Sequence, residues 1–183
     1  MNVLTTKIPD LRIVETNPYA DMRGAFTRLY CEQELSQLID RRRIVQVNHS
    51  RTFAAGALRG LHFQYSQFSE MKLVRCLKGR VWDVAVDLRQ DSSTFLRWHA
   101  EELTSSNMRM MVIPEGFAHG FQAIEPDSEL LYLHTSFYAP NAEGGLRYDD
   151  PLLGITWPLA ITDLSERDSR HPYLDSNFQG LTL

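Results

Sequence analysis

The stretch "ALRGLHFQ", residues 57–64, sets Arg59 and His62 three positions apart around a glycine, in a segment that otherwise reads as strand. Buried strands rarely carry two cation-capable side chains so close together. Histidine gains and loses a proton near neutral pH. Arginine offers a fixed fork of donors suited to phosphate or carboxylate. Strict alternation would send the two to opposite faces, unless Gly60 holds a bulge that re-aims one of them.

The same chemistry recurs in four more segments. "VQVNHS" puts Gln46, Asn48 and Ser50 on one face, "MKLV" supplies Lys72, and "PEGFAHGF" supplies His119 in a Pro-x-Gly-x-x-His turn. In "ELLYLHTSFY", Tyr132, His134, Ser136 and Tyr138 share one face, while Leu131, Leu133, Thr135 and Phe137 share the other. Each polar face alone reads as solvated strand surface, and a single strand histidine as a structural one. Together they read as the polar lining of one ligand cavity. The Pro-x-Gly-x-x-His turn resembles half of a cupin metal signature. The other half would need a His-x-His pair, and here the stretch is His62-Phe63-Gln64. Two histidines without a third ligand make a poor metal site, so no metal is expected.

The elements that must position these residues are mostly strands. "KLVRCLKGRVWDVAVDLR" reads as two apolar runs around Lys78-Gly79, a hairpin signal. Trp82, Val84, Val86 and Leu88 alternate there with Asp83, Ala85 and Asp87, and "RMMVIP" is a strand ended by Pro114. One stretch, "CEQELSQLIDRR", places Leu35, Leu38 and Ile39 at helical spacing. Short strands between turn signals indicate a mainly β domain, a sandwich, jelly roll or barrel. From Pro151 the chain is rich in Pro, Asp and Ser and reads as loops closing over the strands. The 183 residues fit one domain over 1–183. A net charge of −4 argues against nucleic acid as a partner. No apolar run reaches the roughly 18 residues of a membrane span, and none at the N-terminus resembles a secretion signal. With Cys31 and Cys76 the only cysteines, a cytoplasmic chain with free thiols is expected.

Seven segments in order, "DMRGAF", "QVNHS", "GALRGLHFQ", "KLVRCLKGRVWDVAVDLRQDS", "IPEGFAHGF", "LYLHTSFYAP" and "DDPLLGITWP", followed by "LSERD", resemble the dTDP-4-dehydrorhamnose 3,5-epimerase family over nearly the whole chain. The resemblance implies a cupin-type jelly-roll β-barrel with a few short helices, no cofactor, and a homodimer. It implies a nucleotide-diphosphate 4-keto-6-deoxyhexose as substrate, epimerised at C3, C5 or both. By the same resemblance His62 is the proton acceptor, Asp168 the carboxylate paired with it, Tyr132 the proton donor, and Lys72 the cation near the C4 oxygen. Arg59 and His119 hold the diphosphate and sugar region. Gln46, Asn48, Glu143 and Arg167 make further ligand contacts. Arg23 and Phe26 belong to the nucleotide-binding motif, and Tyr138 stacks on the base.

The chemistry explains these residue types. A ketone at C4 acidifies the C–H bonds at C3 and C5, and deprotonation puts charge on the C4 oxygen. Inversion then needs a base on one face, an acid on the other and a positive group at the oxygen. Two departures stand out. Arg28 occupies a position where the family usually has glutamate; an arginine has no acceptor for thymine N3–H. It therefore either shifts preference toward a CDP- or GDP-linked sugar or points to solvent. In "FSEMKLV" the family commonly has proline and glutamine before the lysine. A metal-dependent cupin and a non-catalytic nucleotide-sugar-binding cupin are the competing classes.

Overall fold

A computed structural model describes residues 1–183. In chain order the first strands are β1 (Asn2–Thr5), β2 (Arg12–Glu15), β3 (Tyr19–Asp21) and β4 (Gly24–Phe26). A short helix, α1 (Ser36–Ile39), leads to β5 (Gln46–Thr52), β6 (Leu58–Gln64), β7 (Lys72–Lys78) and β8 (Arg80–Asp87). Then come β9 (Trp98–Thr104), β10 (Arg109–Ile113), β11 (Phe117–Ala123), β12 (Ser128–His134), β13 (Glu143–Gly145) and α2 (Glu166–Ser169). No helix is long and apolar enough to cross a membrane.

A six-stranded sheet runs β1-β2-β10-β7-β12-β5 and a five-stranded sheet runs β13-β6-β11-β8-β9, with β3 and β4 forming a separate ribbon. The expected jelly-roll layering holds, but the expected barrel does not: no ladder joins the two sheets, whose outer strands remain edges. The expected hairpin at Lys78-Gly79 is also corrected. Strand β7 lies between β10 and β12, whereas β8 lies between β11 and β9. Both are central strands with partners already on each side, so the glycine turn carries the chain from one sheet to the other. Gly79 takes φ +75°, and a Cβ there would stand 2.5 Å from Ser128 Oγ. The expected helix shrinks to four residues, ended by Asp40 in the left-handed region at φ +49°. Its spacing still does its work, because Leu35, Leu38 and Ile39 all pack on one cluster.

Alternation sorts the side chains into three layers. Between the sheets lie Val74, Cys76, Val81, Ala85, Phe121 and Leu130. The outer face of the five-stranded sheet, with Val84, Val86 and Leu88, is covered by the C-terminal tail through Leu153 and Leu181. The outer face of the larger sheet, with Leu73, Val112 and Leu133, is covered by the α1 segment. On β12, Leu130 faces the inter-sheet core, and Tyr132 and His134 continue on the same face into a cavity.

Candidate active site

Register decides where Arg59 and His62 face. His62 pairs with His119 and Arg59 with Phe121, so three steps along β6 match two along β11. The extra residue cancels the odd spacing, and both side chains line the same cup. The bulge needs glycine: Gly60 takes φ +121°, and a Cβ would come within 2.5 Å of Gly120 Cα. The cup has a volume of about 930 Å³, within the ~300–1,000 Å³ usual for small-molecule sites.

On the β6 wall, His62 Nε2 lies 2.8 Å from Asp168 Oδ1. The Gly60 N–H donates to Asp168 Oδ2 at 3.1 Å. Asp168 sits in α2, whose first turn is capped by Ser165 Oγ accepting from the Asp168 N–H at 3.0 Å. Burial alone would push this carboxyl up. The His62 ring, the Gly60 N–H and Arg167 outweigh it and hold the group well below the ordinary carboxylate range. Arg167 stands 3.0 Å from His62 Nε2 and donates to Glu143 at 2.9 Å, and Glu143 also accepts from Tyr138 Oη at 3.0 Å. No protein group bonds His62 Nδ1.

On the facing wall, Tyr132 Oη lies 3.0 Å from Ser50 Oγ, with the His119 ring edge-on and the His134 ring stacked. Burial pushes the phenol up, so it holds its proton. Lys72 Nζ reaches Glu70 at 3.2 Å and the His62 carbonyl at 3.4 Å. His119 Nε2 lies 2.8 Å from Asp83 Oδ1, deep in the cup. Arg59 donates to Thr52 Oγ1 at 3.2 Å. Gln46 Oε1 accepts from the Tyr138 N–H at 3.1 Å, which ties that exposed aromatic to the rim.

Of the residues expected at the site, His62, Lys72, Tyr132, Asp168, Gln46, Asn48, Arg59, His119, Tyr138, Glu143 and Arg167 line this one cup. Arg23, Phe26 and Arg28 do not line the cup of their own chain. They belong to or follow the projecting β3–β4 ribbon, where Phe26 is 67% exposed. Arg23 pairs with Asp21, and Arg28 pairs at 2.5 Å with Glu34, which also accepts from the N-terminal ammonium. A base-reading role for Arg28 within its own chain is therefore not supported.

Asp83 and His171 carried no assignment in the sequence, and Glu70 stood out only as part of the departing segment "FSEMKLV". Asp83 left a faint signal, a charged residue on the inward face of a buried strand. His171 left none. His62, Asp168 and His171 each offer an atom to a metal, all within 4.8 Å of one another. The Arg167 guanidinium, however, sits on the same His62 and Asp168 atoms and opposes a cation.

Residues 5–176 match the sequence model of a family described as dTDP-4-dehydrorhamnose 3,5-epimerase. The chain is 44% identical over 177 residues to the enzyme of that name from Salmonella typhimurium, covering 96% of each. It is 44% identical over 170 residues to its counterpart in Pseudomonas aeruginosa, covering 92% of this chain and 93% of that one. The crystal structure of dTDP-6-deoxy-D-glucose-3,5-epimerase from Legionella pneumophila, in complex with dTDP-4-keto-L-rhamnose, superposes with a TM-score of 0.92. It is 38% identical and covers 100% of this chain and 98% of that one.

Proposed function

The chain belongs to the dTDP-4-dehydrorhamnose 3,5-epimerase family, a family of sugar-nucleotide isomerases, and from that premise we propose how its cup does the work. The substrate is a dTDP-linked 4-keto-6-deoxyhexose, and the relatives' dTDP chemistry favours it over CDP- or GDP-linked sugars. His62 takes a proton from C3 or C5, and the electron pair moves onto the C4 oxygen as an enolate. Lys72 stabilises that charge where it develops. Tyr132 returns a proton to the opposite face, which inverts the centre. The resulting imidazolium and phenolate reset by exchange with solvent. Asp168 fixes the His62 tautomer and stabilises the imidazolium while it lasts.

One observation carries this reading: a carboxylate-paired imidazole on one sheet and a proton-bearing phenol on the other line a single cavity, with an ammonium beside them. Mere binding does not need an acid and a base on opposite walls. Arg59 and His119 serve the diphosphate and sugar, Gln46 and Asn48 the ligand rim, and Glu143 with Arg167 brace Tyr138 against the base.

The working unit is a homodimer of single-domain chains. Tyr19, Met22 and Phe26 on the ribbon and Val47 on edge strand β5 are exposed apolar side chains, more than a monomer usually leaves in contact with water. A ribbon that covers the cup of a second copy would deliver Arg23 and Phe26 to the nucleotide. Free Cys31 and Cys76 fit a reducing cytoplasm. Incubation with dTDP-4-keto-6-deoxyglucose in D₂O, followed by NMR, tests the chemistry. Deuterium entering at C3, C5 or both is expected. No exchange, or exchange that survives His62→Ala, would overturn it. Light scattering tests the dimer.

A further inference from the structure

Glu70 lies in "FSEMKLV", the segment where the chain departs from its family, and its side chain is 8% exposed. It bonds on both sides. Oε1 lies 3.2 Å from Lys72 Nζ, and Oε2 lies 2.6 Å from His134 Nδ1. The far nitrogen of that ring, Nε2, is 3.3 Å from Asn48 Nδ2. One assignment from these partners satisfies every group: Nδ1–H donates to Glu70, and the Asn48 amide donates to Nε2. Both ring nitrogens of His134 are then engaged. Burial opposes the charge on Glu70, but His134 and Lys72 outweigh it and keep the carboxyl below its ordinary range.

An ammonium has three donors. Glu70 takes one and the His62 carbonyl oxygen, at 3.4 Å, takes a second. The third is left for the cup. We propose that Glu70, held in turn by His134 and Asn48, is a positioning residue that aims the remaining N–H of Lys72 at the ketone oxygen of the substrate. The inference rests on the reading of Lys72 given above. A lysine on its flexible four-carbon stem samples many rotamers. Electrostatic stabilisation of a developing oxyanion depends on a donor that already points there. His134 completes the arrangement from the other side of the carboxylate. It satisfies the second carboxylate oxygen, which burial would otherwise leave unpaired at a cost.

The test is a double-mutant cycle. Glu70→Ala and Glu70→Gln are made alone and with Lys72→Ala, and kcat and KM are measured with the dTDP-4-keto sugar alongside Kd for dTDP. Glu70→Ala should lower kcat about 10–100-fold, below the ~10²–10³ lost when a whole oxyanion donor is removed, and leave Kd within about twofold. Glu70→Gln keeps an acceptor oxygen and should fall between Glu70→Ala and native. If Glu70→Ala does not fold, the isosteric Gln variant carries the cycle alone. On the Lys72→Ala background the Glu70 substitutions should cost nothing further. An undiminished kcat in the single variants, or an equal loss with and without Lys72, would overturn the positioning role. Native activity in Lys72→Ala would instead bring down the reading of Lys72 on which it rests.

Discussion

The two walls of the cup each carry an imidazole paired to a buried carboxylate, and the pairs are not alike. On the β6 side, His62 meets Asp168 through Nε2, its Nδ1 has no protein partner, and the side chain is 23% exposed. On the β12 side, His134 meets Glu70 through Nδ1, its Nε2 faces Asn48, and the side chain is 10% exposed. A third pair, His119 with Asp83, is buried deeper still at 6%. A histidine beside an aspartate or glutamate is thus no signature of a base. What separates His62 from His134 is whether one ring nitrogen is left without a protein partner. His62 keeps one and can accept a proton. His134 keeps none.

The largest predicted effect attacks that contrast directly. His62→Ala should lower kcat by about 10²–10⁴, the usual worth of a positioned base, while His134→Ala should cost about tenfold or less, in keeping with a part played only through Glu70. Equal losses measured by steady-state kinetics would erase the distinction between the walls. Tyr132→Phe comes next, with a product rate lower by about 10². Its signature is qualitative: His62 would still exchange the C–H proton with D₂O on one face, so NMR should show deuterium entering without inversion. Loss of exchange together with inversion would place the phenol on the same face as the base.

Much of this contrast was legible in the residues. Period-two alternation places Tyr132 and His134 on one face of β12, as found, and Gly60 marks the point where a bulge was possible and where the register shifts. What alternation could not reveal is which sheet a strand joins. A glycine turn between two apolar runs looks the same whether it closes a hairpin or, as at Gly79, turns a corner between sheets. Closure into a barrel is likewise a property of edges, and strand patterns do not record it. The pairing of His62 with Asp168 spans 106 positions, and only family resemblance joined the two. Glu70 was visible as a departure, but its partner His134 lies 64 positions away, so its role depended on the fold.

The acid limb of stability sharpens the comparison on both walls at once. Asp168 and Glu70 are both held below their ordinary range. Their contribution is therefore complete above the unfolded-state values of about 4 and is lost as pH falls through the lower folded-state values. Thermal unfolding should show Tm little changed by these groups between pH 7 and pH 5, and falling below about pH 4. Asp168→Asn and Glu70→Gln should each flatten that fall. A native acid limb in both variants would mean that neither carboxylate is held as described.

The smallest effects belong to the ribbon, which in one chain stands apart from both walls. Arg23→Ala should raise KM for the dTDP-sugar about threefold to tenfold, the loss of one charge-assisted contact of roughly 1 kcal/mol or slightly more, and leave kcat unchanged. Its guanidinium pairs only with a neighbouring exposed aspartate and is free to exchange partners. Arg28→Ala should change KM less than about twofold, because Glu34 already holds that arginine in its own chain. The difference between two arginines five positions apart is the informative quantity. If Arg28→Ala matched Arg23→Ala, or exchanged the preference for dTDP against CDP or GDP in a binding assay, the Glu34 pair would have to break when substrate binds, and the ribbon would be reading the base as well as closing the cup.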